Sequence, residues 1–208
     1  MKHLFIIALL SIQIIAQTTN IQTMIFLGDS LTAGFGIDEK KAYPAILQEK
    51  IGTQNIAIIN AGSSGDTTYT LLNRLDWTLA QLKPSIAFLC IGANDGLRGY
   101  KITITESNIQ KIIDRLSSDN IQIVLAGISL PKNYSESYIK EFDELYETIA
   151  SRNNIELLPF LLKDVAGIPS LNLTDRIHPN EAGHEIIANT VYNFLATNNI
   201  IATKNIKN

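Results

Sequence analysis

From residue 23 onward, short apolar runs take turns with longer stretches in which apolar positions recur every three or four residues. The runs are TMIFLG (23–28), IAIINAG (56–62), IAFLCIG (86–92), IQIVLAGI (121–128) and IELLPF (155–160). They are rich in β-branched residues and short, which predicts strands. Between and after them lie AYPAILQEKIG (42–52), TTYTLLNRLDWTLAQL (67–82), ITESNIQKIIDRLSS (104–118), SESYIKEFDELYETIASR (135–152) and EAGHEIIANTVYNFLA (181–196). Their apolar spacing predicts amphipathic helices. Strands that are apolar throughout are expected where both sheet faces are covered, and strict strand–helix alternation implies right-handed crossovers between parallel strands. The fold class is therefore α/β, with helices in layers on both sides of a parallel sheet.

In such a sheet ligands bind beyond the carboxyl ends of the strands. The polar and glycine-rich segments fall at those places: GDSLTAGFG (28–36), GSSGDTT (62–68), GANDGLRG (92–99) and LTDRIHPN (173–180). Four loops converge on one rim of the sheet.

Ser30 stands where the first strand gives way to a helix. In isolation it reads first as a helix cap, because a serine oxygen satisfies a free N–H at a helix start. The same position also suits a nucleophile, with unpaired amides behind it for a developing oxyanion. The G-x-S-x-G elbow of the α/β-hydrolases is absent, since Thr32 stands two residues after the serine. A nucleophilic serine needs a base, and the histidines are His3, His178 and His184. His184 lies inside an amphipathic stretch and reads as an ordinary helix histidine. His178 lies three residues after Asp175 and just before Pro179, which is expected to begin the last helix. One turn can bring that carboxylate to the imidazole; alone, the segment reads first as a capping aspartate and a surface histidine.

Asn94 and Gly62 are candidate oxyanion donors, through a side-chain amide and a backbone N–H, and each also suits a plain turn. Asp66, before Thr67 and Thr68, reads as a helix cap. Asp175, His178 and His184 offer only two histidines and no H-E-x-x-H spacing, so no metal is expected.

Charge and composition narrow the partners. Seventeen basic residues against twenty acidic ones supply no field for nucleic acid or anionic lipid. The single cysteine, Cys90, sits in an apolar run and reads as a small core residue, leaving no intramolecular disulfide. Residues 1–20, MKHLFIIALLSIQIIAQTTN, combine Lys2, an apolar run from Leu4 to Ala16 broken by Ser11 and Gln13, and a small polar end. That is a secretory signal pattern, shorter than the ~20 apolar residues of a membrane span. The expectation is a signal peptide over 1–19, its cleavage site open between Ala16 and Thr19, and a single domain over 20–208 that is periplasmic or secreted without a stable membrane anchor.

Taken together and in order, GDSL (28–31), Gly62 in NAGSSGDTT, GAND (92–95) and DRIHP (175–179) resemble the blocks of the SGNH, or GDSL-type, hydrolases. GANDGLRG and LPKNY further resemble the exported acyl-thioesterase, arylesterase and lysophospholipase subgroup. The resemblance implies a flavodoxin-like, five-stranded α/β/α fold and an esterase or thioesterase without cofactor. It implies Ser30 as nucleophile, His178 as base, Asp175 as its orienting carboxylate, and an oxyanion hole of the Ser30 and Gly62 amides and the Asn94 side chain. Substrates would be small acyl esters, thioesters or lysophospholipids, with Leu97, Tyr100 and the ISLPKNYSESY loop bordering the acyl group. Two departures stand out: Arg176 occupies a position where the subgroup often has glycine, and Ser63 one where an apolar residue is common. Rival readings are a carbohydrate O-acetyl esterase of the same family and a noncatalytic flavodoxin-like module binding phosphate at a helix N-terminus.

Overall fold

The computed structural model describes residues 21–52 and 56–202; the expected signal peptide over 1–19 lies outside them. Five strands, β1 (Gln22–Gly28), β2 (Ile56–Gly62), β3 (Ile86–Cys90), β4 (Gln122–Ala126) and β5 (Glu156–Leu158), form one sheet in the order β2-β1-β3-β4-β5. Every neighbouring pair is parallel. The helices are α1 (Ser30–Ala33), α2 (Tyr43–Ile51), α3 (Thr68–Leu82), α4 (Ala93–Leu97), α5 (Ile102–Ser118), α6 (Glu136–Asn153) and α7 (Glu181–Thr197). Helix α2 packs on α7, whereas α3, α5 and α6 pack in succession on one another. Right-handed crossovers from a sheet of this order place those two groups on opposite faces, giving the three layers expected from the alternation.

Burial explains why the central strands carry no alternation. All five residues of β3 are buried, as are the last five of β1. Phe26 and Phe88 stack at 4.8 Å between ring centroids, and Tyr43 of α2 meets Phe26 edge-on at 5.6 Å. Tyr43 also ties two distant helices together, since its backbone N–H donates to His184 Nδ1 on α7 at 3.2 Å. A ring nitrogen that accepts from an amide keeps its lone pair, so His184 is neutral. Burial holds its pKa down at about 4. His184 is thus a buried structural histidine.

Three elements differ from the sequence expectation at their ends. The IELLPF run contributes only Glu156–Leu158 to the sheet, because Gly127 and Leu161 turn the backbone through bonds of their own. GANDGLRG, expected as loop, contains the short helix α4. The last helix begins at Glu181, capped by the Asn180 side chain on the Gly183 N–H, and not at Pro179. Pro179 instead pairs with Asn172 in an isolated antiparallel bridge.

Among the described residues no helix is long and apolar enough to cross a membrane. In the strand order seen here, the chain leaves β1 toward β2 and then returns past it to β3. The loops after β1 and β3 therefore diverge, and the crevice between them is where such folds place their ligands.

Candidate active site

The end of β1 carries the first component. Gly28 is followed by Asp29, whose Oδ1 accepts the Leu31 N–H at 3.0 Å and caps α1. Capping falls to Asp29, which leaves the Ser30 hydroxyl free of that duty. No bulkier residue fits at position 28, where a Cβ would stand 2.6 Å from the Cys90 carbonyl and 2.2 Å from Thr32 Oγ1. The nucleophile candidate is therefore held on a turn packed directly against β3.

The second component comes from the 173–178 turn. Asp175 Oδ1 accepts the N–H groups of Ile177 and His178 at 2.9 and 3.0 Å, and Oδ2 lies 2.7 Å from His178 Nδ1. The Leu173 N–H closes the turn on the His178 carbonyl at 2.7 Å. Arg176 adopts φ 60°, a left-handed conformation that favours glycine. Partial burial pushes the Asp175 carboxyl up, but the hydrogen bonds from His178 and Ile177 outweigh it and hold the group at about 2. An ionised Asp175 fixes the proton on His178 Nδ1 and leaves Nε2 with a lone pair. That nitrogen lies 2.9 Å from Ser30 Oγ. The Phe35 ring leans on the imidazole at 4.6 Å.

The third component is the pair of loops after β2 and β3. Asn94 Nδ2 donates one hydrogen to the Asp66 carbonyl at 2.9 Å, which leaves the second for another acceptor. Gly62 is placed differently from the sequence expectation. Its N–H donates to Asn60 Oδ1 at 3.0 Å, while Asn60 Nδ2 donates to the Thr32 carbonyl at 2.9 Å. Gly62 is required instead for close approach: a Cβ there would stand 2.4 Å from the Ala33 nitrogen. On the same loop Gly65, at φ 87°, makes no hydrogen bond through its N–H among the described residues, and a Cβ there would meet open space. The Ser30 N–H is likewise unpaired among the described residues. The distinction between Gly62 and Gly65 could have been suspected from Asn60, two residues before Gly62, where an asparagine can close its own short turn.

Asp66 is not the cap of α3. That role belongs to Thr67, which exchanges bonds with Thr70 in a capping box. The Asp66 carboxylate accepts from Thr70 Oγ1 at 2.9 Å and from Arg74 Nε at 2.7 Å. Asp95 turns toward α3, accepting the Thr68 N–H and hydroxyl at 2.9 and 2.6 Å. Asp29 Oδ2 is buried with no hydrogen-bond partner among the described residues. Burial pushes the Asp29 carboxyl up to about 7 against the pull of the Leu31 N–H, and the nearby Asp66 and Asp95 charges add to the rise.

Leu97 and Tyr100 belong to the far side of the crevice. Tyr134 and Tyr138 donate their hydroxyls to the Leu97 and Tyr100 carbonyls, both at 2.7 Å, and so lock the 128–138 segment onto the end of α4. Two surface depressions, one along the outer face of α6 near Lys132 and Lys140 and one between Leu79 and Arg115, contain none of Ser30, Gly62, Gly65, Asn94, Asp175 and His178. The residues brought together are thus Ser30, His178 and Asp175, with Asn94 and the 62–66 turn alongside. No group of three or more metal-ligating side chains forms among the described residues.

A hydroxyl, an imidazole and a carboxylate in line, above the exit edge of a parallel sheet, define a serine hydrolase. Residues 26–186 match the model of the GDSL-like lipase/acylhydrolase family. The chain is 31% identical to Esterase TesA of Pseudomonas aeruginosa over 194 residues, covering 92% of this chain and 96% of that protein. It is 36% identical to Thioesterase 1/protease 1/lysophospholipase L1 of Escherichia coli over 166 residues, 80% of this chain and 79% of the relative. The crystal structure of the esterase EstA from Pseudoalteromonas sp., inhibited by monoethylphosphonate, superposes with a TM-score of 0.81 at 31% identity, covering 85% of this chain and 97% of that one. This chain belongs to the GDSL-like lipase/acylhydrolase family, with the SGNH-hydrolase fold, and it is an ester hydrolase.

Proposed function

We propose that the protein transfers the acyl group of a carboxylic ester or thioester to Ser30 Oγ and then to water. His178 Nε2 takes the serine proton as the Oγ–carbon bond forms, and returns it to the departing alcohol or thiol. A water then attacks the acyl-serine with the same base, releasing the acid and restoring the hydroxyl. Asp175 keeps the imidazole oriented and stabilises its charged form. The Ser30 N–H, the Gly65 N–H and the free hydrogen of Asn94 Nδ2 receive the oxyanion, with Gly65 in the place the sequence suggested for Gly62. No step calls for a metal or an organic cofactor.

The observation that carries this is the continuous line Ser30 Oγ, His178 Nε2, His178 Nδ1, Asp175 Oδ2, at 2.9 and 2.7 Å. Its physical sense is that a carboxylate-bound Nδ1–H forces Nε2 to be the acceptor of the serine hydroxyl. The substrates are small acyl esters, thioesters or lysophospholipids, a range supported by the names of the relatives. The acyl group lies toward Leu97, Tyr100 and the 128–138 segment, which two tyrosine hydroxyls hold beside α4. Residues 1–19 direct export to the periplasm or beyond, in keeping with their charged, apolar and small-polar sequence.

A fluorophosphonate probe tests the chemistry. Stoichiometric labelling at Ser30, abolished in Ser30→Ala, is expected; a folded protein that hydrolyses esters while Ser30 stays unlabelled would refute the assignment. A panel of acyl esters and thioesters of graded length, with acetylated xylan beside them, reads the substrate class. Faster turnover of the acetylated polysaccharide would favour the carbohydrate esterase instead.

A further inference from the structure

Arg74 sits on α3, and its guanidinium reaches three parts of the site. Nε donates to Asp66 Oδ2 at 2.7 Å. The NH2 nitrogen donates to the Ala61 carbonyl at 2.8 Å, with a longer contact of 3.4 Å to the Gly28 carbonyl. Gly28 ends β1 two residues before Ser30, Ala61 lies at the end of β2, and Asp66 follows Gly65. One planar group therefore joins the strand bearing the nucleophile, the neighbouring strand exit and the turn carrying the free amide. The Asp66 carbonyl continues the chain of contacts by accepting Asn94 Nδ2 at 2.9 Å.

We propose that Arg74 is a positioning residue that aims the oxyanion donors, setting the Gly65 amide and the Asn94 side chain relative to Ser30 through Asp66 and the Gly28 and Ala61 carbonyls. This rests on the acyl-serine reading above. The physical need is specific. The Gly28 carbonyl already accepts the Ser63 N–H at 3.0 Å, so the need lies at the carboxylate: a buried polar group without a partner costs about 1–3 kcal/mol. Asp66 is mostly buried, and a buried carboxylate that loses its ion partner is costlier still. Arginine suits the place because its donors lie in a rigid fork, so the angle between the carboxylate and the two carbonyls is set by one side chain. Lysine supplies the charge as a single point and cannot fix that angle. Thr70, the other donor to the Asp66 carboxylate, binds the opposite oxygen, so the two donors together fix the plane of the carboxylate.

The consequence falls on the transition state and not on substrate binding. Oxyanion donors must lie about 2.7–3.1 Å from where the charge develops, and a turn that swings by an ångström forfeits that contact. Arg74→Ala is expected to lower kcat about 10²-fold with KM within a few-fold, an effect of the size that loss of one oxyanion donor produces. Arg74→Lys keeps the charge and is expected to lose about tenfold, while guanidinium at low millimolar concentration partly restores Arg74→Ala. The decisive measurement is a double-mutant cycle: if Arg74 acts through Asn94, the loss in Arg74→Lys/Asn94→Ala falls well short of the product of the single losses. Multiplicative losses, or a folded Arg74→Ala enzyme within threefold of wild-type kcat, would overturn the proposal. Should Arg74→Ala not fold, Arg74→Lys and its cycle with Asn94→Ala carry the test alone. Fluorophosphonate labelling of the wild type runs alongside. Absence of labelling overturns the acyl-serine reading itself, whereas normal labelling with unaltered Arg74 variants overturns only the role of Arg74.

Discussion

His178 Nε2 stands 2.9 Å from Ser30 Oγ across 148 positions of sequence. The contact exists because β1 lies inside the sheet, while the 173–178 turn is closed at its base by the Asn172–Pro179 bridge and leads into α7, which packs on α2.

The tautomer argument makes Asp175→Asn the informative variant. An amide at 175 no longer demands a hydrogen on Nδ1, so the fraction of His178 with a bare Nε2 falls. We expect kcat to drop by about 10²- to 10⁴-fold while the fold persists. Because Asp175 titrates at about 2, any acid loss of wild-type activity above pH ~3 belongs to another group. Steady-state kinetics and circular dichroism of the variant check the first statement.

Asn94 and Gly62 should fail differently. Asn94→Ala removes one donor and is expected to cost about 10²- to 10³-fold in kcat with stability near wild type. Gly62→Ala inserts a methyl group against the Ala33 amide, where backbone and not a flexible side chain must yield. Overpacking of this kind costs about 1–3 kcal/mol. Thermal unfolding should therefore register Gly62→Ala and leave Asn94→Ala almost unmoved.

Asp29 supplies a pH signature in stability. Its carboxyl titrates at about 7 in the folded protein against 3.8 ordinarily, so between those values the native state holds more protons than the unfolded chain. By linkage the stability contribution falls as pH rises from about 4 through about 7. His184 works the other way: with a folded value near 4 against 6.5, it makes stability rise with pH over that interval. Comparing wild type with Asp29→Asn isolates the first effect, since His184 is common to both. The stability of the variant relative to wild type should climb over pH 4–7 and then level off, by roughly 4 kcal/mol at most. Urea unfolding at stepped pH measures it; a difference independent of pH would remove the raised carboxyl from the account.

Arg176 holds φ 60° inside the turn that presents His178. A left-handed conformation costs a residue with a Cβ about 1–2 kcal/mol, part of which glycine gives back in unfolded-state entropy. Arg176→Gly should stabilise the protein by about 0.5–1 kcal/mol and leave kcat largely unchanged, read by chemical denaturation and ester turnover.

The alternation of apolar runs with helix-period stretches was enough to read a three-layer α/β fold, because both signals are local consequences of backbone geometry. The pairing of Asp175 with His178 was only permitted by their spacing, since the segment by itself suits a capping aspartate and a surface histidine; the hydrogen bonds of the folded turn bring the two groups together. Less could be read where partners come from other elements. Whether Asp66 capped α3 or held Arg74 depended on a side chain eight residues on and on which face α3 turned to the sheet. Gly62 and Gly65 look alike in NAGSSGDTT, and they part only when Asn60 claims the first amide and the turn leaves the second open.

What the sequence determined by itself, then, was the order of elements, the buried character of the strands and the chemical types available at the strand exits, all set by periodicity and residue chemistry within a few positions. Tertiary structure alone decided which hydroxyl meets which imidazole, which amides remain free, and that Arg74 ties the strand ends to the turn. Those relations depend on distances between segments far apart in the chain, and only the twist and strand order of the packed sheet determine such distances.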